Sequence, residues 1–310
     1  METVLIAGGT GLVGKRLTQL LTEQGYGVIL LSRSAGRNTG SSLIRYAQWD
    51  PGKGSLDEAA FAEADYVVNL AGAGVADQRW TAARKKEIRD SRVQAGETLV
   101  KALHTIPHKI KAFVNASAQG WYGPDPATHD GGFMEEDAPF TDYLARTCVD
   151  WEGSVKKVEE AGVRLVKLRI GIVLANGGGA MKEFRKPIAF RFATVLGSGK
   201  QMVSWIHVDD LCGMFLHAIQ NTAVTGIYNA CAPHPVSNKE LIHAIANARW
   251  GNAYLSMPVP AFVLKLMMGE MSIEVLKSCT MQSAKIVLSG FRFTYPVISS
   301  AVKHLQDADK

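Results

Sequence analysis

Three glycines near the start of the chain have the spacing of a loop that binds phosphate. Gly8, Gly11 and Gly14 lie between an apolar run at residues 4–7 and a helical pattern that begins at Leu12. Gly8 permits a sharp turn, Gly11 leaves room for a pyrophosphate, and Gly14 lets the helix pack closely on a sheet. The helix N-terminus adds free N–H groups and the positive end of its dipole. We therefore expect a dinucleotide cofactor to contact the residues of this loop: Gly8, Thr10, Gly11, Leu12, Val13 and Gly14.

The end of the next apolar run indicates which dinucleotide binds. An Asp or Glu at that position would accept a hydrogen bond from the adenosine 2′-hydroxyl and favour NAD. The sequence has Ser32 and Arg33 there, and no carboxylate close by. A guanidinium suits a doubly charged 2′-phosphate, so we predict NADP rather than NAD. The alternative is that Arg33 only faces solvent.

Such a loop needs a framework that brings strand ends together. Apolar runs begin near residues 4, 27, 44, 66, 112 and 164, and amphipathic helical patterns lie between most of them. This alternation predicts a parallel sheet covered by helices on both faces and joined by right-handed crossovers. The predicted fold class is α/β, a Rossmann-type doubly wound parallel sheet. Residues 142–161 are expected to form one helix, and residues 164–175 one strand.

The later part of the chain is less regular. We predict a dinucleotide-binding domain over residues 1–250, with insertions on the substrate side from about residue 175. A small, mainly helical C-terminal region would cover residues 251–310, because apolar residues recur there at helical spacing.

The composition argues against several classes of function. The 310 residues are 47% hydrophobic and 20% charged, which is typical of globular proteins. A formal charge of +5 without a long Lys/Arg run predicts no nucleic-acid and no membrane partner. The four cysteines are far apart and lack a metal-binding spacing, so we expect no metal and reduced thiols in a cytoplasmic protein. No signal peptide and no membrane span are expected.

Several motifs together resemble those of one enzyme group. They are "GGTGLVG" at residues 8–14, "NLAG" at 69–72, "SAQGWYG" at 117–123 and "WIHVDD" at 205–210. This combination resembles the extended short-chain dehydrogenase/reductases, which include the nucleotide-sugar epimerases and dehydratases. The longer stretches "NLAGAGVADQRW" and "GGGAMKEFRKPI" are similar to an atypical branch, the "epimerase family" proteins. Members of that branch carry a small C-terminal domain of unassigned function.

The resemblance implies roles for individual residues. Leu70, Ala71 and Gly72 should line the adenine and ribose side of the cofactor. Ser117 matches the serine that hydrogen-bonds the reacting oxygen, and Tyr143 matches the proton donor.

The same resemblance extends to the later strands. Arg169 and Ile170 should border the nicotinamide end of the cofactor. His207 should belong mainly to a structural loop on the substrate side, and Asp210 is expected to be a helix N-cap.

The chain departs from the family pattern at the residue that activates the tyrosine. Relatives have a lysine four residues after the tyrosine, and this chain has Thr147, which carries no charge. Arg92 stands on the preceding long helix where relatives have an asparagine. We hypothesise that Arg92 and Glu87, five residues apart, flank the cofactor and that Arg92 replaces the missing charge. The alternative is an ordinary exposed pair on a highly charged helix.

Two classes of function are consistent with these residues. The first is an NADP-dependent oxidoreductase that transfers a hydride to or from a carbonyl or carbinol carbon of a small molecule, a sugar nucleotide being one candidate. The second is a sensor or regulatory protein that binds NADP without turnover, because Thr147 leaves the tyrosine without its cation. A homodimer is expected by family analogy alone.

Overall fold

The protein is built on one large sheet, seen in a computed structural model that describes residues 1–34, 40–126 and 131–308. The described residues form fourteen strands, β1 to β14 in chain order: Thr3–Ala7, Gly27–Ser32, Ile44–Asp50, Ser55–Leu56, Tyr66–Asn69, Ala112–Ala118, Arg164–Ile170, Ile172–Leu174, Phe192–Leu196, Met202–Val203, Trp205–His207, Gly226–Ala230, Val236–Ser237 and Leu255–Val259. They also form eleven α-helices, α1 to α11 in chain order: Leu12–Glu23, Glu58–Ala62, Ala82–Thr105, Tyr143–Ser154, Gly179–Ile188, Val208–Gln220, Asn238–Trp250, Ala261–Met268, Ser272–Leu276, Ala284–Leu288 and Ile298–Asp307.

Eight of the strands make the main sheet, in the order β12-β7-β6-β5-β1-β2-β3-β4. Every pairing in it is parallel except that of β3 with the short edge strand β4. The chain runs outward from β1 through β2 and then returns to β5 on the other side of β1. Ligands in such sheets bind beyond the carboxyl ends of the strands where this reversal occurs. The predicted α/β doubly wound fold is confirmed.

Both faces of the central strand β1 are buried. In β1, Val4 and Ile6 belong to one core while Leu5 and Ala7 belong to the other, and all four are 0% exposed. A strand covered on both faces has no polar face, which is why its sequence is a continuous apolar run rather than an alternating one.

Residues on both sides of position 250 share cores. Leu241 and Ile245 of α7 pack in one cluster with Val302 of α11 and Val195 of β9. Ile286 of α10 lies in a core of the main sheet. The C-terminal residues therefore complete hydrophobic clusters that earlier residues begin.

Two predicted elements are interrupted. The strand predicted over residues 164–175 is divided at Gly171, where a Cβ would lie 2.4 Å from the carbonyl oxygen of Ser204. The helix predicted over residues 142–161 ends at Ser154 and is followed by a 3₁₀ helix, Lys156–Ala161. Gly153 and Ser154 are weak helix formers, and the Ser154 hydroxyl donates to the backbone carbonyl of Trp151. Within the described ranges no helix is long and apolar enough to cross a membrane.

Candidate functional site

Close backbone contacts shape the glycine loop after β1. Gly8 has a φ of +82°, and a Cβ on it would lie 2.7 Å from the carbonyl carbon of Leu70. A Cβ on Gly14 would lie 2.5 Å from the carbonyl oxygen of Gly8, whereas one on Gly11 would meet only that oxygen, at 3.3 Å. The turn itself therefore requires Gly8 and Gly14, while Gly11 leaves the space beside it open.

The N-terminus of α1 opens at this loop without a side-chain cap. Its N-cap is Gly11, and its first turn contains no acidic residue. Thr10 and Gly11 are exposed, and Leu12 and Val13 are half-buried. Unpaired N–H groups and the positive end of the helix dipole favour an anion at such a terminus. The loop and the helix together fit a pyrophosphate group.

The ends of β2 and β5 flank this loop, because β1 pairs with β2 on one side and with β5 on the other. At the end of β2, the half-buried Ser32 accepts a hydrogen bond through its hydroxyl from the Ser34 backbone N–H at 3.2 Å, and Arg33 is exposed. At the start of the turn after β5, Leu70 donates its backbone N–H to the Ala7 carbonyl at 2.8 Å. The parallel register thus brings these predicted cofactor residues to one edge of the sheet.

Two buried asparagines hold the turn after β5. The Asn69 side-chain oxygen accepts the Ala71 backbone N–H at 3.2 Å, and its amide nitrogen donates to the Asn115 side-chain oxygen at 2.8 Å. Both asparagines are 0% exposed. A Cβ on Gly72 would lie 2.9 Å from Cζ of Arg92, so the glycine makes room for the guanidinium.

The two charged residues predicted to reach the cofactor from α3 have different surroundings. Arg92 is half-buried, donates from Nη1 to the Ala73 carbonyl at 2.9 Å and lies with Cζ 5.0 Å from the centre of the Trp151 ring. Glu87 is exposed and accepts a hydrogen bond from Arg84 at 2.8 Å. The structure therefore brings Arg92 to the turn after β5, whereas Glu87 is engaged by Arg84.

Tyr143 is the first residue of α4 and lies against α3. Its hydroxyl donates to the backbone carbonyl of Lys85 at 2.9 Å, and its ring meets Trp80 edge-on at 5.2 Å. Burial raises the pKa of this hydroxyl, and the Thr147 side chain and the positive charges of Arg92 and Arg84 oppose that increase. Before it can act on a substrate, the hydroxyl must leave the Lys85 carbonyl.

Ser117 lies at the end of β6 and is turned toward the interior. It is 2% exposed, and its hydroxyl donates to the Glu152 carboxylate of α4 at 2.7 Å. The hydroxyls of Ser117 and Tyr143 are thus hydrogen-bonded to different partners, and the structure does not join them. Their catalytic roles remain predictions.

Glu152 belongs to a buried polar network that motif spacing does not reveal. Arg169, which is 1% exposed, donates from Nε to Glu152 at 2.9 Å and from Nη1 to the Tyr122 hydroxyl at 3.0 Å. Burial alone would lower the pKa of Arg169, but the hydrogen bond and charge of Glu152 hold it above its ordinary value. The enclosed guanidinium holds α4 to β7. The predicted contacts of Arg169 and of the half-buried Ile170 with the nicotinamide remain predictions.

One signal in the sequence does point to this network. The strand β7 is largely apolar but contains Arg164, Lys167 and Arg169. A cation in a buried strand needs an acidic partner close by, and the preceding helix offers Glu152.

The "WIHVDD" segment joins the C-terminal residues to α6. His207 is the N-cap of this helix, with Nδ1 accepting the Asp209 backbone N–H at 3.0 Å. The expectation that Asp210 is an N-cap is wrong, because its carboxylate accepts the backbone N–H groups of Thr294 and Tyr295 at 2.7 and 2.9 Å. Asp210 therefore holds the chain that leads into α11.

The ligand atoms of His207, Asp209 and His304 lie within 4.8 Å of one another. Because Nδ1 of His207 accepts a backbone N–H, the proton of the neutral ring is on Nε2, which faces His304 Nδ1 at 3.1 Å. A hydrogen bond joins the two rings, and the Asp209 carboxylate accepts a hydrogen bond from Arg16 Nε at 2.6 Å.

Comparisons with known proteins agree with this arrangement. Residues 4–231 match the model of the NAD dependent epimerase/dehydratase family, and residues 259–305 match a domain of unknown function. The epimerase family protein YfhF of Bacillus subtilis is 35% identical over 97% of this chain and 97% of its own length.

Solved structures show the same similarity. The crystal structure of human epimerase family protein SDR39U1 with NADPH has a TM-score of 0.87 and 28% identity, covering 98% of this chain and 99% of that one. A nucleoside-diphosphate sugar epimerase from Corynebacterium glutamicum has a TM-score of 0.76 and 29% identity, covering 98% of this chain and 58% of that one. The resemblance to the extended short-chain dehydrogenase/reductases is thereby confirmed, and the chain belongs to the NAD dependent epimerase/dehydratase family.

Proposed function

We propose that the protein binds NADP(H) and is an oxidoreductase acting on a carbonyl or carbinol carbon of a small molecule. The observation that carries this proposal is the glycine loop. Gly8 and Gly14 are required by backbone contacts, and Gly11 leaves open space at an uncapped helix N-terminus. A chain that bound no dinucleotide would have no use for this combination.

NADP is favoured over NAD by two independent points. The end of β2 offers Ser32 and the exposed Arg33 rather than a carboxylate. In addition, the human relative with 28% identity was crystallised with NADPH. A guanidinium pairs strongly with a 2′-phosphate, whereas a carboxylate would repel it.

The protein's own residues would bind the cofactor and transfer the proton. The nicotinamide, when bound, supplies or accepts the hydride. The loop and α1 would hold the pyrophosphate, and the turn from Leu70 to Gly72 would hold the adenosine. In reduction, Tyr143 gives its proton to the substrate oxygen, so that its O–H bond breaks, a new O–H bond forms on the substrate and a phenolate remains. Ser117 supports α4 through Glu152 in the present arrangement, so its contact with a substrate oxygen requires a rotation of its hydroxyl.

A second function, an NADP sensor without turnover, is supported by one observation. The Tyr143 hydroxyl is already engaged by the Lys85 carbonyl, and Thr147 gives it no charged neighbour on its own helix. Cofactor binding would then change the shape or partners of the protein rather than reduce a substrate.

Titration of the purified protein with NADPH and NADH, followed by nicotinamide fluorescence, tests the cofactor. We expect much tighter binding of NADPH. Arg33→Ala should weaken NADPH binding roughly tenfold or more, because a hydrogen bond to a charged group contributes about 1.5–3 kcal/mol. NADH binding should not change. Arg249→Ala, which removes an exposed positive charge from α7, is the control. Equal affinity for both nucleotides would contradict the role of Arg33.

A screen of carbonyl compounds then separates the two functions. Oxidation of bound NADPH that depends on a compound and is lost in Tyr143→Phe supports the oxidoreductase. Tight NADPH binding with no turnover across the screen supports the sensor. The screen tests the predicted small-molecule substrate, whereas the homodimer stays a prediction that the oligomeric state in solution would test.

A further inference from the structure

The cation that normally assists the tyrosine is missing from α4. At position 147, Thr147 donates its hydroxyl to the backbone carbonyl of Tyr143 at 2.9 Å. This bond satisfies the threonine within its own helix. A phenolate at Tyr143 would therefore find no positive charge from the residue four positions on.

Within the described residues, Arg92 is the arginine of α3 for which no acidic partner is found. Among the ion pairs of the described residues, Arg84 is paired with Asp77 and Glu87, and Arg89 is paired with Asp90 and Asp150. In both cases, carboxylates neutralise the charge of the guanidinium. Arg92 instead donates to the backbone carbonyls of Ala73 and Ile88, which leaves its positive charge uncompensated.

The neighbours of Arg92 fix the position of its guanidinium. Trp151 of α4 lies on one side, with Cζ 5.0 Å from the ring centre, and Gly72 lies on the other. A side chain at position 72 would collide with the guanidinium, because a Cβ there would come within 2.9 Å of Cζ. Arg92 is thus held between α4 and the turn after β5, on the side of the sheet edge where the cofactor loop lies.

This placement has an electrostatic consequence. The guanidinium of Arg92 is enclosed by these neighbours, and this burial lowers its pKa. A poorly solvated cation without a carboxylate gains most when an anion forms close to it. The Tyr143 hydroxyl donates to the carbonyl of Lys85 and Arg92 Nη1 donates to that of Ile88, three residues on, so the two groups meet the same face of α3. Lys85 Nζ lies 5.2 Å from the centre of the Tyr143 ring, but it is paired with Glu270. Burial raises the pKa of Tyr143, and the Thr147 side chain, Arg92 and Arg84 oppose this.

We propose that Arg92 is a positioning residue that supplies, from α3, the positive charge that a lysine at position 147 would have supplied from α4. This inference rests on the proposed oxidoreductase function. Arg92 acts through Tyr143, because its charge stabilises the phenolate that remains after proton transfer. The departure at Thr147 is then a relocation of the cation and not the loss of an active site.

A spectroscopic titration tests the proposal without a known substrate. Trifluorotyrosine is incorporated at position 143, since its phenol is more acidic than that of tyrosine and titrates where the protein stays folded. Its ionisation is followed by fluorine NMR in the otherwise unchanged protein, in Arg92→Met, in Arg92→Lys and in Arg89→Met. Arg89→Met is the matched control, because it removes an exposed arginine of the same helix.

The expected result is a shift of the titration to higher pH in Arg92→Met only, with Arg92→Lys restoring most of the original midpoint. An unchanged midpoint in Arg92→Met, or an equal shift in Arg89→Met, would overturn the proposal. Circular dichroism shows whether each variant is folded. If Arg92→Met is unfolded, Arg92→Gln takes its place, and its titration midpoint is compared with that of Arg92→Lys. NADPH titration of the same samples is a separate readout, so a failure to bind cofactor would refute the proposed function without altering the result for Arg92.

Discussion

Replacing Gly14 with alanine should destabilise the protein even when no cofactor is present. The added Cβ would lie 2.5, 2.6 and 2.7 Å from the carbonyl oxygen of Gly8 and from Cα and the carbonyl carbon of Gly9. All three atoms belong to the backbone, so the loop or the helix must move. Overpacking of this kind costs about 1–3 kcal/mol, from which the better helix propensity of alanine recovers about 0.5–1 kcal/mol.

Gly11→Ala provides the matched comparison. Its Cβ would meet one atom, the Gly8 carbonyl oxygen, at 3.3 Å, and its φ of −74° is accessible to alanine. We expect a loss in the free energy of unfolding of about 1 kcal/mol, since alanine is a poorer N-cap than glycine. NADPH affinity should nevertheless fall sharply, because the new methyl group points into the space left for the pyrophosphate.

Urea denaturation followed by circular dichroism, together with NADPH fluorescence, separates the two effects. Gly153→Ala is the positive control, because outside its own helical turn no described atom lies within 4 Å of its Cβ position and alanine should stabilise α4. If Gly14→Ala proved as stable as the unchanged protein, the loop would be free to move and the steric argument would be refuted. If Gly11→Ala bound NADPH normally, the pyrophosphate would not lie at this loop.

Two further outcomes follow from buried charges. Glu152→Gln should lower the free energy of unfolding by about 3–5 kcal/mol, because it leaves the Arg169 guanidinium buried without a carboxylate. A loss below about 1 kcal/mol in urea denaturation would contradict this. The double variant Glu152→Gln/Arg169→Met should recover part of the loss, because it removes the unpaired charge. Burial lowers the pKa of His207 to about 4 from an ordinary value of 6.5, so the unfolded chain takes up a proton that the folded protein does not. The contribution of His207 to stability is therefore complete above pH 6.5 and is lost as the pH falls toward 4, at no more than about 1.4 kcal/mol per pH unit. His207→Asn keeps an acceptor at the N-cap and should have a shallower pH dependence of the urea midpoint in this range, whereas an identical dependence would show that His207 protonates equally in both states.

The sequence alone determined the sheet and the phosphate loop. Runs such as residues 4–7 are apolar without alternation because both faces of β1 are covered, and this local pattern is enough to predict a parallel sheet. The positions of Gly8, Gly11 and Gly14 also follow from local chemistry, since a turn, an open space and a close helix contact each require a glycine. Their backbone contacts in the structure agree with that interpretation.

The tertiary structure decided which polar groups meet. Glu152, Ser117 and Arg169 come from a helix and two strands, and Asp210 reaches backbone N–H groups more than eighty residues later. No spacing rule predicts such pairings, because the energy of a buried charge depends on the partner that folding brings to it and not on its neighbours in the chain. The same holds for Arg92, whose position on α3 was visible in the sequence, whereas its separation from every described carboxylate appears only in the folded protein.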